Sequence, residues 1–531
     1  MMVSRRTLLN GLLGGLAASQ SARWSGALAA EERTTLRIGM SAANTTLDPH
    51  LLSNAPNNMV ATHIFDALVA NDFQSHSRPG LAASWKVLDD THWEFALRPN
   101  VVFSDGSPLS LEDIQVSIER ATTIPSAASF RTYTRSVKSI TMPSPGKLLI
   151  ETKAPDPLLP NSLGRIRIIS AKFKDAPSAD FNAGKAAIGT GAYVFKEYVP
   201  GSRLVLTPNP SYWGPKSPWT EVTLRIVTDA GARLAGLLSG DLDIIEQAPY
   251  EGIEKIKKDA RLQVIRGVSS RVVYLSLDAD HEQSQYITGT DGKPLPKNPL
   301  KDLRVRQALS MAINRQAIVE RVMEGNAVAA SQFLPPGGAG TSSNIKPVAY
   351  DPAKAKALLA EAGYPNGFRL TIHGPNDRIV NDAKIVQVLA QMFTRIGVET
   401  KVEVMPWAVY STKGNAHEFA VSLGSWGVNT GETSNPLLAL TATFNPAAGA
   451  GASNSGRYSN PALDAKLGEA MKILDDAKRE KLLGEACEIV FNDVALIPLH
   501  HEVLVLGARK EIAFTPRADQ YTLATEVKRK A

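Results

Sequence analysis

The sequence predicts an α/β protein of two or three domains, and three observations carry that prediction. Helical and strand periodicities alternate along most of the chain. Its 531 residues exceed what one hydrophobic core organises. Apolar residues at 44% and charged residues at 21% match an ordinary soluble globular protein. Beyond the N-terminus no apolar run approaches the ~20 residues of a membrane-spanning helix.

The elements follow in order. Residues 35–40 alternate polar and apolar as an opening strand. Trp93-Glu94-Phe95-Ala96-Leu97-Arg98 reads as a half-buried strand, and Ser104-Asp105-Gly106 as a turn that reverses the chain. Ser110 is then placed to cap a helix, with Asp113 three residues on in the capping-box position. Residues 229–238 read as a helix that Gly240 ends, followed by a strand over 241–245. A helix over 351–363 has Asp351 as cap, Pro352 in its first turn and Gly363 as its stop. The next helix, over 382–396, carries Ile385, Leu389, Met392 and Phe393 on one stripe, and Gly397 separates it from an alternating strand over 398–404. Loops are expected at 294–299, 335–340 and 445–455, where Pro, Gly and small polar residues cluster. No internal repeat marks a solenoid.

Residues 1–29 read as an export leader that is cleaved after Ala29. Arg5 and Arg6 precede the apolar segment 8–18, and Ala27-Leu28-Ala29 supplies the small residues of a cleavage site. Ser4-Arg5-Arg6-Thr7-Leu8-Leu9 resembles the twin-arginine export motif, a general secretory signal being the alternative. Removing the leader deletes three arginines and no acid, which halves the formal charge of +6. That residual excess argues against nucleic acid or an anionic membrane as partner. A single cysteine, Cys487, excludes an internal disulfide, and its apolar helical surroundings make it a small core residue. No cysteine follows the leader, so a lipid anchor is not expected.

Several blocks share one resemblance. Leu47-Asp48-Pro49-His50 comes first, then Ala82 to Trp85, Trp93 to Arg98, and Val101 through Phe103 and Asp105-Gly106 to Ser117. Gly189-Thr190-Gly191-Ala192-Tyr193, Asn209 to Trp213, and Asp302 to Leu309 with Ala312 to Arg315 follow in register. Together they resemble the peptide/nickel (family 5) solute-binding proteins of ABC importers over nearly the whole mature chain. The resemblance implies a two-lobed, hinged periplasmic binding protein fold of the large class, with an extra subdomain in the first lobe. Residues 30–273 would form that lobe, 274–498 the second, and 499–531 the return to the first. Two crossing strands, near 272–277 and 500–506, would be the hinge, with ligand buried as the lobes close.

The resemblance also implies candidate ligand contacts. Glu432, in the Gly-rich loop after Trp426 that contains Asn429, stands where relatives place an acid against a ligand's amino group. Arg378 stands in a loop where dipeptide binders place the arginine that pairs a ligand carboxylate, the alternative being an ion pair with Asp377 or Asp382. Trp426 and Trp407 are candidate cleft walls. Thr190, between two glycines, and Ser270, beside Ser269 and Arg271 before the hinge, offer backbone groups. The ligand is expected to be a peptide or similar small polar, amino-bearing compound, delivered by a monomeric periplasmic protein to an inner-membrane ABC permease. Nickel or another metal chelate is the alternative.

An enzyme is the remote alternative. The chain has no GxSxG, GxxxxGK[ST], HExxH or CxxC, and Gly189-Thr190-Gly191 lacks the third glycine of a dinucleotide loop. No catalytic residue and no cofactor are expected. No metal site is expected either: the nine histidines are scattered, and His500 and His501 face opposite sides of a strand.

Overall fold

The computed structural model describes residues 34–126, 128–428 and 430–530. The leader assigned to residues 1–29 and the candidate Asn429 lie outside the described residues. Among those residues a mixed sheet of 12 strands runs through the molecule. Thr35–Met40 lies parallel to Glu221–Ile226 on one side and to Ile244–Ile245 on the other. Antiparallel strands Arg203–Pro208 and Tyr193–Val199 complete that half. Leu36, Ile38, Leu224 and Leu506 fill its core.

Two long strands carry the sheet across to its other half. Leu262–Leu277 and Leu496–Arg509 pair antiparallel from Leu262 opposite Arg509 to Ser276 opposite Leu496. The ladder slips midway: Val268 opposes Val503 and Val272 opposes His501, so Ser269, Ser270 and Arg271 face only Glu502. Extra residues on one strand leave unpaired groups and bend the ladder there. Beyond the slip, Val421–Gly427 joins Leu262–Leu277, and Phe368–Pro375 joins Val421–Gly427 and Val398–Met405 in parallel. Leu275, Ile372, Leu389, Phe393 and Leu423 form this second core. Each half thus buries its own apolar set, and the two long strands are common to both.

A separate antiparallel sheet, in the order Ala82–Val87, His92–Leu97, Lys147–Thr152, Val137–Ser144, packs Phe95, Leu148 and Ile150 against Phe103, Ile114 and Ile118. The helix Leu111–Thr123 begins with the expected capping box, Ser110 Oγ accepting from the Asp113 N–H while the Asp113 carboxylate accepts from the Ser110 N–H at 2.8 Å. A buried fork ties this helix to the opening segment. Arg120 donates both terminal nitrogens to the two oxygens of Asp48 at 2.7 Å each, and Ser178 Oγ adds a third bond at 2.8 Å.

Local signals translate well into elements. Helices Ala230–Ser239, Pro352–Glu361 and Asp382–Arg395 lie where periodicity puts them, and Asp229 and Asp351 cap through their carboxylates. Gly240, Gly363 and Gly397 take the left-handed conformation that ends each one. The strand expected over 241–245 shrinks to Ile244–Ile245. The Leu242 N–H returns to the Gly236 carbonyl and the Asp243 carboxylate binds the Arg37 side chain, so 241–243 belong to the turn. Cys487 is fully buried, and burial pushes its thiol up to about 12. None of the described helices is long and apolar enough to cross a membrane.

Candidate functional site

A cavity of about 430 Å³ opens where the long strands cross, within the range of small-molecule sites. Its walls are aromatic: Tyr274, Trp407, Tyr410, Phe419 and Trp426. Gly424, opposite Tyr274 in the ladder, makes room for that ring, since a Cβ there would sit 2.7 Å from it. The Tyr410 hydroxyl donates to the Leu423 carbonyl at 2.7 Å, and the Trp426 indole N–H to Asn435 at 2.8 Å. These bonds fix ring orientation and leave the faces for a ligand.

A second hollow of about 350 Å³ adjoins the first, sharing Arg271, Arg378 and Ser425 with it. Its lining differs in charge: Glu246, Glu502 and Asp519 lie there. Arg378 sits over the Trp407 ring with its guanidinium carbon 5.3 Å from the centroid. Burial and the like charge of Arg271 both lower its pKa. Neither expected ion pair forms, because Asp382 accepts the Arg378 and Ile379 backbone N–H groups at 3.1 Å and Asp377 that of Trp407 at 2.7 Å. Among the described residues Arg378 has no carboxylate within ion-pair distance. Arg271 has one, Glu502, at a loose 3.6 Å. On the acidic side, Glu246 Oε2 accepts from Ser41 while its buried Oε1 has no hydrogen-bond partner. Burial raises the pKa of both Glu246 and Glu502.

Of the described candidates, the structure brings Arg378, Trp407 and Trp426 together but not Glu432, Thr190 or Ser270. Glu432 does not line the cavity. Its carboxylate is buried against Arg479, with contacts of 3.0 and 3.1 Å, and accepts from Ser434 at 2.5 Å. The charge assigned to a ligand amine is therefore neutralised within the fold. Its loop instead meets the first half of the molecule, where Asn161 Nδ2 donates to the Thr430 carbonyl at 3.1 Å. Ser270 also turns inward, its Oγ donating to the Ala518 carbonyl at 3.1 Å, and its neighbour Arg271 faces the cavity.

Thr190 is fully buried and donates to Asp66 at 3.0 Å. The flanking glycines are not a flexible ligand loop. They let the segment close on the helix Ala55–Ile64: a Cβ on Gly189 would lie 2.0 Å from the Ile64 carbonyl oxygen. Gly189→Ala is expected to cost about 1–3 kcal/mol in urea unfolding, with ligand affinity of the folded fraction unchanged.

Sequence reasoning missed Tyr274, Tyr410, Phe419, Glu246 and Glu502. Only for Glu502 was a signal present, since period-two alternation sets it on the opposite face from His501. His500 and His501 are buried in the crossing strand. The fold also brings Asp278, His281 and His417 together, a grouping that spacing along the chain did not announce.

Comparison with known proteins gives this geometry its context. Heme-binding protein A of Haemophilus influenzae is 29% identical over 458 residues, covering 80% of this chain and 79% of its own. The glutathione-binding protein GsiB of Salmonella typhimurium is 28% identical over 479 residues, covering 88% and 89%. The periplasmic murein peptide-binding protein MppA of Escherichia coli is 27% identical over 487 residues, covering 86% and 85%. The unliganded open form of MppA superposes with a TM-score of 0.77 at 25% identity, over 94% of this chain and 98% of that one. The two halves joined by crossing strands are thus the two lobes of a periplasmic binding protein fold. Residues 77–447 match the middle region of the bacterial extracellular solute-binding proteins, family 5, and the chain belongs to that family of solute-capturing components of ABC importers.

Proposed function

We propose that the solute is a small zwitterionic, peptide-like compound, captured in the periplasm and handed to an inner-membrane ABC permease without chemical turnover. One observation carries this reading. Arg378 lies partly buried beside Arg271 and over the Trp407 ring, with no carboxylate within ion-pair distance among the described residues. A guanidinium so placed is best satisfied by an anion, and its planar fork matches a carboxylate. Glu246 and Glu502, across the shared boundary of the two hollows, suit the ligand's amino group in place of Glu432. The glutathione and murein peptides in the names of GsiB and MppA carry both charges.

In this reading residues 30–273 and 499–531 form one lobe and 274–498 the other. The slip at Ser269–Arg271 is the hinge, and ligand contacts made only when the lobes meet favour closure. Residues 1–29 direct export by the twin-arginine route, and the released protein acts as a monomer.

Mass spectrometry of the compound released on denaturing protein purified from its native periplasm tests the proposal. A compound bearing both amine and carboxylate is expected; heme or a neutral sugar would overturn it. With that compound in hand, Arg378→Ala should weaken binding by about 2–4 kcal/mol, or roughly 30- to 700-fold in calorimetry.

A further inference from the structure

The strands that wall the cavity end at a second group of chemistry-bearing side chains. Asp278 directly follows the strand Leu262–Leu277, His281 lies three residues on, and His417 precedes the neighbouring strand Val421–Gly427. One ligand atom from each lies within 4.8 Å of the others. His281 Nδ1 is 3.1 Å from Asp278 Oδ2. His417 Nε2 is 3.7 Å from Asp278 Oδ1 and 3.6 Å from Asp280 Oδ2.

The hydrogen bonding of His417 decides what its second nitrogen can do. Its Nδ1 faces the Ser455 carbonyl oxygen. A carbonyl only accepts, so Nδ1 carries a proton, and Nε2 is the nitrogen left to meet the carboxylates or an ion. That nitrogen is buried and makes no hydrogen bond. It faces two carboxylate oxygens at 3.6–3.7 Å, beyond hydrogen-bond distance. In a tetrahedral zinc site with bonds of about 2.0–2.1 Å, neighbouring ligand atoms stand roughly 3.3 Å apart, against 3.1–3.7 Å for the histidine–carboxylate pairs here. The backbone carbonyl that fixes the ring is the kind of supporting contact metal-bound histidines use.

Asp278 is oriented for the same task. It is 1% exposed, and the Asp280 and His281 backbone N–H groups and Asn298 Nδ2 hold its carboxylate at 3.1–3.3 Å. The His281 and His417 rings stack with centroids 4.4 Å apart, and a rotation of the half-exposed His281 ring would bring both in-plane lone pairs onto one ion. The His281–Asp278 contact satisfies one pair of these groups and leaves His417 Nε2 without a hydrogen bond.

We propose that Asp278, His281 and His417, with Asp280 on the solvent side, bind a divalent transition-metal ion of the zinc type. Two imidazoles with carboxylates suit zinc better than the all-oxygen shells of calcium or magnesium. Ser455, whose carbonyl holds His417, also lines the ligand cavity. The ion would tie that wall to the end of the long strand.

The test is a titration of untagged full-length protein, stripped by chelator, with Zn2+ against a chromophoric competitor and with Co2+ for visible absorption. One Zn2+ per chain is expected, with cobalt bands of a four-coordinate site and a zinc-dependent rise in Tm. His281→Ala removes a half-exposed side chain that the fold does not need, and should weaken zinc binding about tenfold or more. His417→Ala should do the same. Absence of stoichiometric zinc, or unchanged affinity in His281→Ala, overturns the site, whether or not His417→Ala folds.

Discussion

Lowering the pH from 7 to 5 is expected to cost the fold several kcal/mol, with unfolding taking up close to one proton for each of four histidines. His50, His63, His500 and His501 are all nearly fully buried, and burial lowers each to about 4. Two are locked neutral by their neighbours. His63 Nδ1 donates to the Met59 carbonyl, so its Nε2 accepts the Ala524 N–H at 3.0 Å. His50 Nε2 donates to the Arg167 carbonyl, and its Nδ1 faces the Arg120 guanidinium at 3.3 Å. An unfolded histidine titrates near 6.5, so below that pH the unfolded chain binds more protons than the folded one. This stability is complete above pH 6.5 and is lost as pH falls toward 4. Each histidine contributes on the order of 1–2 kcal/mol between pH 7 and 5, against a total of about 5–15 for a domain. Urea midpoints at pH 7, 6 and 5 provide the measurement, and a flat profile would show that these sites accept protons without opening. His500→Leu should shallow the slope by about one proton.

Asp48→Ala is expected to destabilise the protein by about 3–5 kcal/mol, because it strands the Arg120 guanidinium in the interior. The Asp48 side chain is 0% exposed and that of Arg120 9%, so water cannot replace the missing partner. Burial works to raise the Asp48 pKa, but the Arg120 fork overcomes it and holds the carboxyl below its ordinary range. This contribution is present above pH ~4 and is lost only at lower pH, beneath the histidine window. Lys138→Ala, which removes an exposed pair with Glu151, should cost no more than about 1 kcal/mol in the same assay. Replacing both members of the fork by Leu and Met should recover much of the loss, since the penalty lies in the unpaired charge.

What the sequence made legible was local. Ser110, Asp229 and Asp351 announce helix starts because a capping carboxylate or hydroxyl meets an N–H three residues on, and Asp113 reaches back to the Ser110 N–H. The blocks from Leu47 to Arg315 revealed the family, yet their roles are largely architectural: Asp48 pairs with Arg120, and Gly189 packs on a carbonyl. Side-chain neighbours set by tertiary folding stayed hidden. The partner of Glu432 is Arg479 on a distant helix, and His417 meets His281 only because their strands are neighbours in the sheet. Arg378 was found because it stands in a loop whose position relatives share; Tyr274 and Phe419, inside ordinary strand patterns, gave no such sign.

The burial of Cys487 has a practical side. The chain's one thiol is fully enclosed and, pushed up to about 12, carries almost no thiolate at neutral pH. Maleimide reagents should leave the folded protein untouched. A cysteine introduced at an exposed position such as Lys356 would then be its single site for a fluorophore, so lobe motion could be followed optically without first removing the natural residue.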